Sequence, residues 1–102
     1  MKWYNYIFCF LSGIFIANTI PHLIQGISGN SFPSPFSNPP GKGLSTPIIN
    51  VYWGLFNLVV GYLFYKLGKI SKEKIWSIII FFLAFAIMCI QLSITFTDKL
   101  KM

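Results

Sequence analysis

The chain carries one histidine, and its surroundings are the first indication of chemistry. His22 stands directly behind Pro21 in an apolar run, with Asn18 four residues before it and Gln25 three residues after it. Positions spaced i, i+4, i+7 share one face of a helix, so Asn18, His22, Gln25 and Gly29 fall on one line. A second line of the same period joins Asn50, Gly54, Asn57 and Gly61, with Trp53 inside it and Gly68 one heptad beyond Gly61. A third joins Ala84, Met88, Gln91 and Thr95. Imidazole, amide and hydroxyl groups both donate and accept hydrogen bonds, and imidazole can also handle a proton near neutrality. These stripes can therefore recognise a polar group, pass a proton at His22, or hold helices together by bonding across a seam.

Covalent catalysis has less to work with. The only carboxylates are Glu73 and Asp98, at the ends of apolar segments and on opposite sides. Asp98 follows Thr95 by three residues and could approach His22 at the rim, which would make His22 a proton switch. Zinc requires three or four ligands, and Cys9 and Cys89 lie at opposite depths of separate apolar segments, too far apart for a disulfide. No phosphate loop, nucleotide fingerprint or Ser-x-x-Lys motif is present. No catalytic residue, metal site or cofactor is expected.

The elements that position these residues follow from composition. The chain has 102 residues, 55% of them hydrophobic, and its charge of +6 comes from eight lysines and no arginine. A soluble domain of this length leaves too much surface exposed to hide that apolar content. No formal charge occurs between Trp3 and Gly41, between Gly43 and Tyr65, or between Ile75 and Thr97. Each stretch holds the roughly 20 apolar residues that a membrane-spanning helix needs. Alternating barrel-type patterns are missing, so helices are the solution for satisfying the backbone in lipid. The chain reads as one all-α integral membrane domain over residues 1–102, with three transmembrane helices at about 4–27, 47–67 and 74–96. Thr46 and Pro47 form a good start for the second helix, and Gly68 a good stop. Lys2 and the apolar run behind it resemble a signal peptide, but the run continues through Ile27 and no cleavage pattern follows.

Between the first two helices lies a loop over residues 28–46, in which twelve of nineteen residues are Ser, Pro or Gly. It has one charge, Lys42, and prolines at 33, 35, 39 and 40 stiffen it. Phe32, Phe36 and Leu44 make it unlike an ordinary solvated linker, so the expectation is an ordered cap over the helices, with a mobile tether as the alternative.

Lysine distribution orients the bundle. Lys2, Lys66, Lys69, Lys72 and Lys74 share one side, against Lys42, Lys99 and Lys101 on the other. The N-terminus and second loop are expected in the cytoplasm, with the Pro-rich loop and C-terminus outside. Basic charge set at helix ends without arginine argues against nucleic-acid binding. At a rise of about 1.5 Å per residue, Asn18, His22, Gln25, Asn50, Asn57, Gln91 and Thr95 all fall in the outer half of the bilayer.

Small residues offer a different reading of the same stripes. Gly54, Gly61 and Gly68 repeat every seven residues, and Gly13 with Ala17, together with Ala84, can bring backbones close. Packing would then explain the pattern. Pro21 removes a helical hydrogen bond and crowds the carbonyl of Ala17, so a kink is expected there, with Asn18, Thr19 or His22 available to the freed carbonyl.

The stretch from Ala17 to Tyr62 resembles a set of small bacterial membrane proteins that carry no assigned activity. The similar pieces are Ile20-Pro21-His22, Gly26-Ile27-Ser28-Gly29, Pro35-Phe36, Pro39-Pro40-Gly41, and Asn50 through Trp53-Gly54 to Asn57. The resemblance implies a bacterial origin, and hence the inner membrane, without implying a reaction. Three functions remain in view. The first is a non-catalytic accessory subunit, or a binder of a lipid or small apolar ligand, using Asn18, His22, Gln25, Asn50, Trp53, Asn57, Gln91 and Thr95. The second is a subunit of an oligomeric transporter or channel, and the third a His22-dependent membrane enzyme. Expected partners are the lipid bilayer, further copies of the chain, or a larger membrane complex.

Overall fold

A computed structural model describes residues 1–100, with residues 98–100 described by their backbone alone. The side chains of Asp98 and Lys99, and all of Lys101, lie outside the described residues. Three helices account for the fold: α1 (Trp3–Ile27), α2 (Pro47–Leu67) and α3 (Ile75–Leu100). All three are long and apolar enough to cross a membrane, so this is a multi-pass membrane protein. The long axis of 45 Å matches a bilayer with its headgroup regions. The third helix runs beyond the expected stop at Phe96, because Thr97 and Asp98 form no turn signal strong enough to end it.

α1 is the central helix. Both other helices pack on it, whereas no Cα of α2 comes within 8 Å of a Cα of α3 among the described residues. Small residues explain both seams, since apolar burial drives little association in lipid and close backbone approach must do the work. A methyl group added at Gly54 would meet the backbone of Leu23 at 3.0 Å, and one at Gly68 the backbone of Cys9 at 2.9 Å. Gly61 lies against Ile16 in the same way. The heptad glycines of α2 are thus filled by α1 of the same chain. On the other side of α1, Gly13 sits against Ala84 of α3, and both Ala17 and Ala84 are buried.

The helix ends that flank the two loops satisfy backbone groups locally. α1 ends in a two-bond cap, with Gly29 N–H donating to Gly26 O at 3.1 Å and Asn30 N–H to Gln25 O at 2.9 Å. That cap places Gly29 at φ 77°, where a side chain would be strained. α2 starts with Pro47 behind Thr46, whose hydroxyl accepts from Ile49 N–H at 3.4 Å. At its other end Gly68 stays right-handed and Lys69 takes the left-handed position, φ 52°. Ser77, buried at the start of α3, donates to Lys74 O at 2.6 Å and accepts from Ser71 N–H at 3.2 Å.

Residues 28–46 fold back on the helix ends. Phe32 and Ser45 pair as an antiparallel bridge, exchanging hydrogen bonds of 3.1 and 2.9 Å. Within that closure Gly41 N–H donates to Ser34 O at 2.8 Å, and the Ser34 and Ser45 hydroxyls lie 2.6 Å apart. Ser37 donates to Ser34 O at 2.7 Å. Short hydroxyl side chains thus supply the hydrogen bonds that a proline-rich backbone cannot donate.

Candidate functional site

The site is built around Asn50, in the first turn of α2 and fully buried. Its Nδ2 faces three carbonyl oxygens: Phe32 at 2.9 Å, Thr46 at 3.2 Å and Ser45 at 3.3 Å. Three carbonyl oxygens can face only the donor end of the amide, whose two N–H groups they share, so the orientation of the group is fixed. Its Oδ1 must then be the atom facing His22, with Nδ1 of that ring at 2.8 Å. An amide oxygen only accepts, which puts the proton of neutral His22 on Nδ1. Nε2 is left as a lone-pair acceptor, with no hydrogen-bond partner among the described residues. One asparagine therefore locks the loop, the helix start and the tautomer of the histidine.

Aromatic rings complete the enclosure. Phe32 is buried and meets His22 edge-on, with ring centroids 5.5 Å apart, and Phe96 of α3 packs against Phe32 at 4.6 Å. Trp53 approaches His22 edge-on at 6.4 Å, stacks on Phe56 at 5.6 Å, and receives Phe36 of the loop at 5.3 Å. Its indole Nε1 is buried and has no acceptor among the described residues. An unsatisfied buried donor is costly and uncommon.

These groups border a cavity of about 350 Å³. Asn18 and His22 come from α1, Trp53 from α2, Thr95 and Phe96 from α3, and the roof from Pro33–Pro35, Pro40 and Gly41. On the other side of Trp53 lies an apolar groove of about 440 Å³ between Phe36, Ile49, Tyr52, Trp53 and Phe56. Trp53 is the shared wall of the His22 cavity and an aromatic groove.

Not every residue on the three stripes reaches this place. Asn18 Nδ2 donates to Asn57 Oδ1 at 3.2 Å, and Asn57 Nδ2 to Trp53 O at 2.8 Å, so Asn57 supports the wall without lining it. Gln25 is drawn to the end of α1, where its Oε1 accepts from Asn30 Nδ2 at 3.0 Å. Gln91 is exposed and donates to Thr95 Oγ1 at 3.2 Å. Gln25 and Gln91 are therefore not part of the chamber. Helical spacing placed them on one line of their own helices, but Gln91 is exposed and Gln25 bonds to Asn30 just past its own helix. At Pro21 α1 continues unbroken. Thr19 donates to Phe15 O at 3.1 Å, and no side chain among the described residues bonds the Ala17 carbonyl.

Several contributors were not singled out from the sequence. Phe96 closes one wall and Phe32 carries the loop onto His22. Asn5, Cys9 and Ser12 repeat the i, i+4, i+7 spacing in the other half of α1, where the sequence points mainly to Ser12, and all three are buried. Asn5 Nδ2 donates to Leu67 O at 2.9 Å, Cys9 Sγ to Gly68 O at 3.3 Å and Ser12 Oγ to Gly61 O at 2.7 Å. Polar groups thus run the whole α1–α2 seam. The same spacing rule applied from Asn5 would have found them.

Comparison with known proteins returns no match to a family model, a curated protein or a solved structure. The geometry alone carries the functional argument.

Proposed function

We propose that this chain is a non-catalytic membrane protein that binds a lipid or small apolar ligand bearing a hydroxyl group. The observation that carries the reading is that Trp53, whose buried indole N–H has no acceptor among the described residues, and His22 line one cavity. A hydroxyl can accept from the indole and donate to His22 Nε2, satisfying both with one group. The apolar body of the ligand would lie in the groove of Phe36, Ile49, Tyr52 and Phe56. The resemblance to small bacterial membrane proteins supports an inner-membrane setting, and lysine asymmetry supports an orientation with the start of α1 cytoplasmic and the loop and the C-terminus outside. The chamber then opens toward the outer leaflet, and an accessory role within a larger complex is compatible with it. Neither an oligomeric channel nor a His22-dependent enzyme gains a supporting observation. The glycine line of α2 is occupied within the chain, and no acid–base partner touches His22 among the described side chains.

Photo-crosslinking tests the reading. Full-length protein in mild detergent is labelled with a diazirine-tailed diacylglycerol, or with the same lipid acetylated at its hydroxyl. Labelling at residues 32–56 by the free hydroxyl form is expected, falling about tenfold in Trp53→Phe, the scale of one buried hydrogen bond. Equal labelling by both lipids, or unchanged labelling of that variant, would overturn it.

A further inference from the structure

A second concavity lies at the opposite end of the bundle, where α1 begins and α2 ends. It measures about 770 Å³, and Lys2, Lys66, Lys69 and Lys74 line it, with Asn5 and Ser71 between them. The lysines come from three separate segments: the residue before α1, the last turn of α2, and the 68–74 turn. Glu73 belongs to that same turn yet does not line the cavity. Setting the orientation of a membrane protein requires lysines on one side, but it does not require them to converge on one hollow.

Two further features keep the hollow electropositive. The carbonyls that end α2 would repel an anion, yet those of Leu67 and Gly68 are occupied by Asn5 Nδ2 and Cys9 Sγ. The left-handed backbone position after α2 is filled by Lys69, where glycine or asparagine would be easier. Gly68 is spent on close approach to Cys9, so the strained position falls on the next residue, and that residue carries a charge. Met1, Tyr65 and Ile70 complete the lining, which sets the hollow at the boundary between apolar spans and their flanks.

We infer that this lysine cup binds a phosphate group, presented as the headgroup of an anionic phospholipid. Basic pockets at the ends of spanning helices have the charge and position to hold such headgroups. The cup shares no residue with the His22 chamber, so either site can fail alone.

The test uses full-length protein in mild detergent, titrated with phosphatidylglycerol or phosphatidylcholine of identical acyl chains, with bound lipid counted by native mass spectrometry. Preferential retention of phosphatidylglycerol is expected. Lys66→Gln and Lys69→Gly should each weaken it about fivefold, the scale of one lysine at a membrane surface. Glycine at 69 keeps the backbone unstrained, so loss of binding there is not loss of folding. Lys72→Gln, in the same turn but outside the lining, should retain lipid as wild type does. Displacement by inorganic phosphate beyond that by chloride at equal ionic strength would show that the free ion occupies the same cup. Resistance to both salts would assign the site to the lipid headgroup alone. Equal retention of phosphatidylcholine, or an equal effect of Lys72→Gln, would reduce the cup to diffuse charge and overturn the inference.

Discussion

The two ends of the α1–α2 seam use similar residues for different ends. Toward the lysine cup, Asn5, Cys9 and Ser12 each give one hydrogen bond to a backbone carbonyl of α2 or of Gly68 at its end. Toward the loop, Asn18, Asn57, His22 and Asn50 bond chiefly to one another and to the loop. A side chain bonded to backbone has a fixed partner, and the contact is complete. A network of side chains surrounds space, and here two atoms, His22 Nε2 and Trp53 Nε1, have no partner among the described residues. The first arrangement joins helices; the second surrounds a cavity between helices and loop. Spacing alone does not separate them, because both follow the same helical period.

The contrast can be broken most forcefully at Asn50. Asn50→Leu would leave three carbonyls and the His22 ring without their common partner, at a cost of about 3 kcal/mol. Unfolding by denaturing detergent should report that loss, together with new protease cuts between residues 33 and 43. Next comes Gly54→Val, which forces the seam apart against the Leu23 backbone and should cost about 2 kcal/mol in the same assay. Trp53→Phe should separate the two ends cleanly, since it removes a donor that makes no internal bond. Its expected signature is stability within about 0.5 kcal/mol of wild type, alongside the tenfold loss of hydroxyl-dependent labelling. Ser12→Ala should show the reverse, losing about 1 kcal/mol of stability with labelling intact. Smallest of all is Gln91→Leu, whose exposed partner Thr95 leaves stability and labelling within error of wild type. A strong labelling defect there would mean that the chamber extends along α3.

Much of the architecture was legible because it rests on length and charge. Uncharged runs mark the spans, Thr46-Pro47 marks the start of α2, and the proline-rich segment cannot be a helix. The site was legible in part. Asn18, His22, Asn50, Trp53, Asn57 and Thr95 all take part in the chamber or its support. Gln25 and Gln91 do not, because periodicity identifies a face without saying which helix lies opposite. Asn5 and Cys9 escaped for the converse reason: one stands at a helix start and the other is a thiol, so neither drew attention as a seam group. The tautomer of His22 and the unpartnered indole depend on positions more than 25 residues apart in sequence, as with the separation of 28 between His22 and Asn50. No local pattern encodes such a meeting.

The isolation of α3 has a consequence for how the protein comes together. It packs on the bundle chiefly through α1, and few of its membrane-spanning residues are buried. The hairpin of α1, loop and α2 holds its own hydrogen bonds and glycine contacts, so it can close as a unit before the last helix arrives. Phe96 and Thr95 then bring the final wall to a chamber already shaped on its other sides. Synthesis order thereby becomes part of the site's construction: the hairpin supplies the histidine and its tautomer, and docking of the third helix decides when the chamber is finished.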